Sequence, residues 1–148
     1  MSLEIVAEWL EPYGVDKFEG KCLFTYEHEI EVTIETDIEG KSLFVSALIG
    51  EIGSDADAAM LRHLLQMGYK GQHTGGASLS VDETGQGVVL WIARLVSTLD
   101  PEAFDDLVGR FLDSASDLRR DLFSGGKAGR TDDDRPTPDR LGRFSIPV

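Results

Sequence analysis

From Gly75 to Leu122 the chain reads as three elements in fixed order, and that order limits the folds open to it. Gly75-Gly76-Ala77-Ser78-Leu79-Ser80-Val81-Asp82 predicts a short strand. After a Gly-containing turn, Val88-Val89-Leu90-Trp91-Ile92-Ala93-Arg94-Leu95 predicts a long one. The connection between them exceeds two residues, so the pair is a hairpin with an extended loop. Asp100-Pro101 then opens a helix, with a carboxylate cap and a proline at the first helical position. Phe104, Leu107, Val108, Phe111, Leu112, Ala115, Leu118 and Leu122 hold helical register, for about five turns. Arg119 and Arg120 favour the negative end of that helix, and Gly125-Gly126 stop it. Trp91 shares a face with Val89, Ala93 and Leu95, while Leu90 and Ile92 lie on the other. A strand apolar on both sides is expected to be covered on both, by a helix layer and by something else. Nothing in this stretch supplies a nucleophile, a metal cage or a phosphate loop, so it builds a surface rather than a reaction centre.

The upstream half fits the same architecture. Ser2 is placed to cap a first helix, in which Leu3, Val6, Ala7 and Leu10 recur at helical spacing with Ile5 and Trp9 beside them. Pro12 and Gly14 end it. The apolar arc is wide for so short a helix, and an exposed Ile or Trp on it would mark a partner surface. Cys22, Phe24 and Tyr26 alternate along Lys21 to Glu27, and His28-Glu29 make a turn. Ile30, Val32 and Ile34 then alternate with Glu31, Thr33 and Glu35, a half-buried antiparallel strand with a wet outer face. Leu43 to Ile49 is apolar on both faces, which suits a more central strand. Three strands at this spacing form a meander. Ser54 or Asp55 caps a second helix, with Asp55 and Asp57 as favourable first-turn charges and with Met60, Leu61, Leu64, Leu65 and Met67 following. Its apolar face is broader than packing on its own sheet requires, which points to a contact with another subunit. Gly68 and Gly71 stop it. The expected fold is α+β in the order α-β-β-β-α-β-β-α, a twisted antiparallel sheet with helices packed against it.

At 148 residues the chain makes one domain with a sizeable core. The boundary falls after Phe123: residues 1–123 form the domain, and 124–148 form a Gly/Pro/charge-rich tail expected to be flexible. Leu141, Phe144, Ile146 and Val148 are apolar at near-regular spacing and could dock as an extended segment, though a loose end is the simpler expectation. Net charge is -13. The tail carries +1 and the body -14. Such a field repels nucleic acid and anionic lipid, which require cationic patches. No apolar run approaches the roughly 20 residues of a membrane span, and no signal peptide is evident, so a cytoplasmic protein is expected. Cys22 is the single cysteine and reads as a small core residue.

No catalytic, metal or cofactor site is expected. His28, His63 and His73 lack helical metal-ligand spacing. Asp55 and Asp57 lack the remaining ligands of a calcium loop. Gly71-Gln72-His73-Thr74-Gly75-Gly76 lacks the Lys-Ser/Thr of a phosphate loop and leads into a strand.

Leu64-Leu65, the run Gly75 to Asp82, Gly87-Val88-Val89-Leu90-Trp91 and the helix from Leu99-Asp100 through Leu118 together resemble the class I chaperones of bacterial type III secretion, the Tir-chaperone-like or CesT-like family. The likeness covers Ser2 to Phe123. The chain departs from the family pattern at Gln66-Met67-Gly68 and in the tail. The resemblance implies a homodimer in the bacterial cytoplasm that binds an extended N-terminal segment of a secreted effector and keeps it ready for export without ATP. It implies no enzymatic activity, nucleic-acid binding or membrane insertion. It places Leu61, Leu64, Met67 and Trp91 at the dimer contact, and Ile5, Trp9, Phe24, Tyr26 and Leu43 at the effector site. The alternative is a YbjN-like adaptor of related fold that binds a folded partner.

Overall fold

The computed structural model describes residues 2–53, 55, 58–123 and 144–145. The elements in chain order are α1 (Ser2–Leu10), β1 (Lys21–Tyr26), β2 (Ile30–Thr36), β3 (Ser42–Glu51), α2 (Ala58–Met67), β4 (Ser78–Val81), β5 (Gly87–Leu95), α3 (Pro101–Phe123) and β6 (Phe144–Ser145). The expected α+β order is present, with one strand added at its end. All strand pairs are antiparallel, and the sheet order is β4-β5-β3-β2-β1-β6. Strands β1 to β3 are the meander. The chain then crosses through α2, and the β4–β5 hairpin joins on the far side of β3.

Alternation fixes which face of each strand meets the helices. Phe24, Tyr26, Ile30, Val32, Ile34, Leu43, Val45, Leu90 and Ile92 all point to one side and are buried there. Against them lie Val6 and Leu10 of α1 and Phe104, Val108, Phe111, Leu112, Ala115 and Leu118 of α3. The α3 residues recur at three- and four-residue intervals, so one stripe of a 23-residue helix covers the middle of the sheet. Trp9 and Tyr13 close the α1–α3 junction on the Phe104 ring, at centroid distances of 5.4 and 6.0 Å. The Tyr13 hydroxyl donates to Asp105 at 2.8 Å.

Several boundaries were set by local chemistry readable in advance. The Asp100 carboxylate accepts from the Ala103 amide at 2.7 Å, capping α3 ahead of Pro101. Gly14 takes φ 83° after the short 3-10 turn that ends α1, a left-handed conformation that costs glycine little. Others differ. Ser2 is the first residue of α1 rather than its cap. Helix α2 is described over Ala58–Met67, and Asp55 lies in a turn before it. Ser54 and Asp57 lie outside the described residues, as does the expected Gly125-Gly126 stop.

The C-terminal end of α3 is tied to one corner of the sheet. Strand β3 changes register between Leu48 and Gly50, and a Cβ at Gly50 would stand 2.5 Å from the Phe123 ring. The Arg119 guanidinium donates to the Ile49 carbonyl at 2.8 Å and lies 3.5 Å from the Glu29 carboxylate. The Ser116 hydroxyl donates to Glu27 at 3.3 Å. The last two turns of α3 therefore rest beside the β1–β2 turn. At the same corner β6 pairs with β1, with Ser145 opposite Thr25 and Phe144 opposite Tyr26. The β1 edge offers the main-chain donors and acceptors to which these two residues add.

Candidate interaction surfaces

The helices α1 and α3 pack on one face of the sheet, and α2 joins the same side through Leu79, which shares the buried face of Leu90 and lies against Gly68. Among the described residues no helix covers the opposite face. Register sets its side chains in rows that cross the strands. One row runs Ser78, Trp91, Ser46, Thr33, Leu23. The next runs Ser80, Val89, Leu48, Glu31, Thr25, and a third runs Ala93, Phe44, Glu35, Lys21. The β5 half of this face is apolar and the β2 half is acidic. Trp91 is 37% exposed and its indole N–H donates to Ser80 at 2.9 Å, which fixes the ring over the β4–β5 hairpin. Leu95 is more open still. Within the described residues the helix layer covers one side of β5, and the side that carries Trp91 and Leu95 is open.

A second apolar strip lies on α2 and the turn after it. Leu61, Leu65 and Tyr69 are exposed there, Leu65 at 77%. Only Leu64 of α2 is buried, in the protein's own core. The two strips flank β4, an edge strand of four residues that α2 packs against and that β5 pairs with. As an edge strand, β4 presents unpaired main-chain groups on its outer side, over a short length.

The residues expected at the dimer contact divide accordingly. Leu61 and Trp91 are exposed, Met67 is half-buried and Leu64 is a core residue. The residues expected at an effector site divide more sharply. Ile5 is exposed on α1 at 43%. Trp9 is buried against Phe104. Phe24, Tyr26 and Leu43 are each 1% exposed, on the helix-covered face. As side chains these three present nothing to a partner, because period-two alternation that turns them toward α1 and α3 turns Lys21, Leu23 and Thr25 outward. Leu23, 39% exposed, is the apolar residue on the outward side of β1 and was not among the residues expected at the site. Its signal was present in the sequence as the one apolar member of the set Lys21, Leu23, Thr25.

The groups with chemical potential lie apart from one another. His28 sits in the β1–β2 turn at φ 61°, and His63 and His73 are exposed. Among the described residues no three His, Cys, Asp or Glu side chains converge as metal ligands would. Burial pushes the Cys22 thiol up to about 11, against its activation as a nucleophile. The glycine-rich loop serves packing: Gly75, at φ 63°, lies so close to α3 that a Cβ would meet the Ser114 hydroxyl at 2.6 Å. Thr74 is buried beside it and donates to the Ala77 carbonyl at 2.5 Å. A cavity of about 260 Å³ between this loop, β5 and α3 holds Arg94, Asp106 and Arg110, and Arg110 pairs with Asp106 at 3.5 Å along the helix surface.

Comparison with known proteins agrees with this geometry. The model of the Tir chaperone protein (CesT) family matches residues 12–119. Among solved structures, the ExsC–ExsE complex contains a chain 22% identical to this one, with a TM-score of 0.63, covering 80% of this chain and 91% of that one. A chain of the heterodimeric ExoU–SpcU complex from the type III secretion system of Pseudomonas aeruginosa is 19% identical, with a TM-score of 0.62, covering 80% and 98%. A chain of the HopA1–SchA chaperone–effector complex is 15% identical, with a TM-score of 0.61, covering 79% and 91%. Among curated proteins none matches the chain.

Proposed function

This chain is a member of the Tir chaperone protein (CesT) family, and from that premise we propose that it acts as a homodimeric, ATP-independent chaperone in the bacterial cytoplasm, holding an extended N-terminal segment of a type III secretion effector ready for export. The observation that carries the reading is the one-sided sheet. All three helices pack on one face, while Trp91, Leu95 and the outer row of α2 stay open to water. A hydrophobic surface of this kind, left over after the core is complete, is suited to cover by other chains. The dimer is assigned to the strips on both sides of β4, with Leu61, Leu65, Met67 and Trp91 as its apolar residues. Leu64 supports that contact from beneath, as part of the core that positions α2.

The effector segment is assigned to α1 and the β1 side of the sheet. Ile5 and Leu23 offer side chains there. Phe24 and Tyr26 contribute through the backbone of β1, since an added strand binds by main-chain hydrogen bonds and takes specificity from alternate side chains. Trp9 and Leu43 hold the underlying core. That similar chains occur in chaperone–effector complexes, such as HopA1–SchA, supports an effector as the partner. The body charge of -14 favours a client segment with basic residues.

Co-expression with N-terminal fragments of the secreted proteins encoded beside this chain tests the reading. The expected product is a complex of two copies with one fragment, formed without nucleotide, in which the fragment gains protection from protease. A monomer at micromolar concentration that captures no fragment overturns it. Capture of an intact folded partner, with no affinity for fragments, favours the adaptor reading instead.

A further inference from the structure

The chain carries its own occupant for the edge assigned to the effector. Strand β6 adds antiparallel to β1 at Thr25 and Tyr26, two of the six β1 residues. We infer that residues 144–145 form an autoinhibitory strap on the β1 edge, which a client strand must displace to bind. The inference rests on the chaperone reading above, and adds to it a built-in competitor.

Three observations support an intrachain strap. The end of α3 lies beside the β1–β2 turn, tied there by Arg119 to Ile49 and Glu29 and by Ser116 to Glu27. The chain therefore leaves α3 at the corner where β6 adds. Roughly twenty residues separate Phe123 from Phe144, and a loop of that length closes at little more cost than a shorter one. The segment from Arg140 to Val148 carries Arg140 and Arg143 and no acid, while Glu27, Glu29 and Glu31 cluster at the receiving corner. The same charge complementarity that attracts a basic client attracts this segment.

The magnitude follows from tethering. A connection of about twenty residues gives an effective concentration on the order of millimolar. A strap whose free peptide binds with Kd of about 100 µM is then closed in about nine molecules of ten. Because apparent affinity falls with the open fraction, a client strand binds about tenfold more weakly than it would to an open edge.

The test uses the full chain and the full-length double variant Phe144→Pro/Ser145→Pro, which removes both amide donors of β6. A fluorescent peptide of residues 140–148 is the probe. It is expected to bind the variant about tenfold more tightly than the wild type, to be released by added salt, and to slow hydrogen exchange of β1 amides in the variant. Equal affinity for both proteins, or for neither, overturns the strap. The client arm separates this result from the chaperone reading. An effector fragment identified by co-expression should also bind the variant about tenfold more tightly and displace the peptide. A fragment that binds both proteins equally and leaves the peptide in place overturns the strap and leaves the chaperone standing. A fragment that binds neither protein, while the peptide still discriminates, overturns the chaperone reading, and with it the competition.

Discussion

Replacing Leu65 by aspartate is the sharpest probe of the α2 surface, because it alters the proposed dimer while leaving the core alone. Leu65 is 77% exposed, and its neighbour Leu64 is 5% exposed. Full burial of a leucine side chain contributes roughly 1.5–3 kcal/mol relative to water. With 77% of its surface still open, Leu65 can contribute about 1–2 kcal/mol on being covered. In an isologous dimer the same residue is covered twice, for about 2–4 kcal/mol. At about 1.4 kcal/mol per decade, the dimer dissociation constant should rise about 30- to 1,000-fold. The desolvation of a new carboxylate pushes it further in the same direction. Sedimentation equilibrium or light scattering over a dilution series reads the constant, and a thermal melt of the monomer serves as control. A Leu65→Asp protein that melts normally and dimerises as tightly as the wild type refutes the argument that this row of α2 is covered by a second copy.

Three further outcomes are expected. Leu64→Ala should lower the stability of the fold itself by about 2–4 kcal/mol, since it opens a cavity at a buried site; denaturant unfolding of the isolated protein measures it. Asp100→Ala should cost about 0.5–2 kcal/mol through loss of the α3 cap at Ala103, seen in the same assay with client binding retained. For Cys22, burial raises the thiol from its ordinary 9.0 to about 11. The fold favours the protonated form, so its contribution is fully present below pH 9.0 and is lost as pH rises toward about 11. Cys22→Ala should remove that part of the alkaline loss, measured as the difference between the two unfolding curves across this range, and the wild-type thiol should react slowly with iodoacetamide until the same range is reached.

The elements most legible in the sequence were those whose signals are local. Helix α3 announces itself through Asp100-Pro101 and an unbroken apolar stripe, and both the cap and the stripe are present. The meander was equally plain, because Ile30, Val32 and Ile34 alternate with polar residues. What alternation cannot tell is which side of a sheet receives the helices when both sides of a strand are apolar. Phe24, Tyr26 and Leu43 are expected at the effector site, yet their side chains face inward, and Leu23 and Trp91 face out. The pairing of β6 with β1 was invisible for a different reason: it joins positions more than a hundred residues apart, and no local pattern encodes its register.

The layering of the sheet has a consequence for how this protein can vary. Along β1, β2 and β5 the even-numbered residues point to the helices, and along β3 the odd-numbered ones do. Adjacent letters of each strand thus answer to different demands, one to folding and the next to company. A chain built this way can exchange its associates by changing every second position, with melting temperature nearly untouched. Deep substitution scanning of β5 alone would resolve the two demands as a comb, with teeth at Val88, Leu90 and Ile92 for stability and gaps at Val89, Trp91 and Ala93 for association.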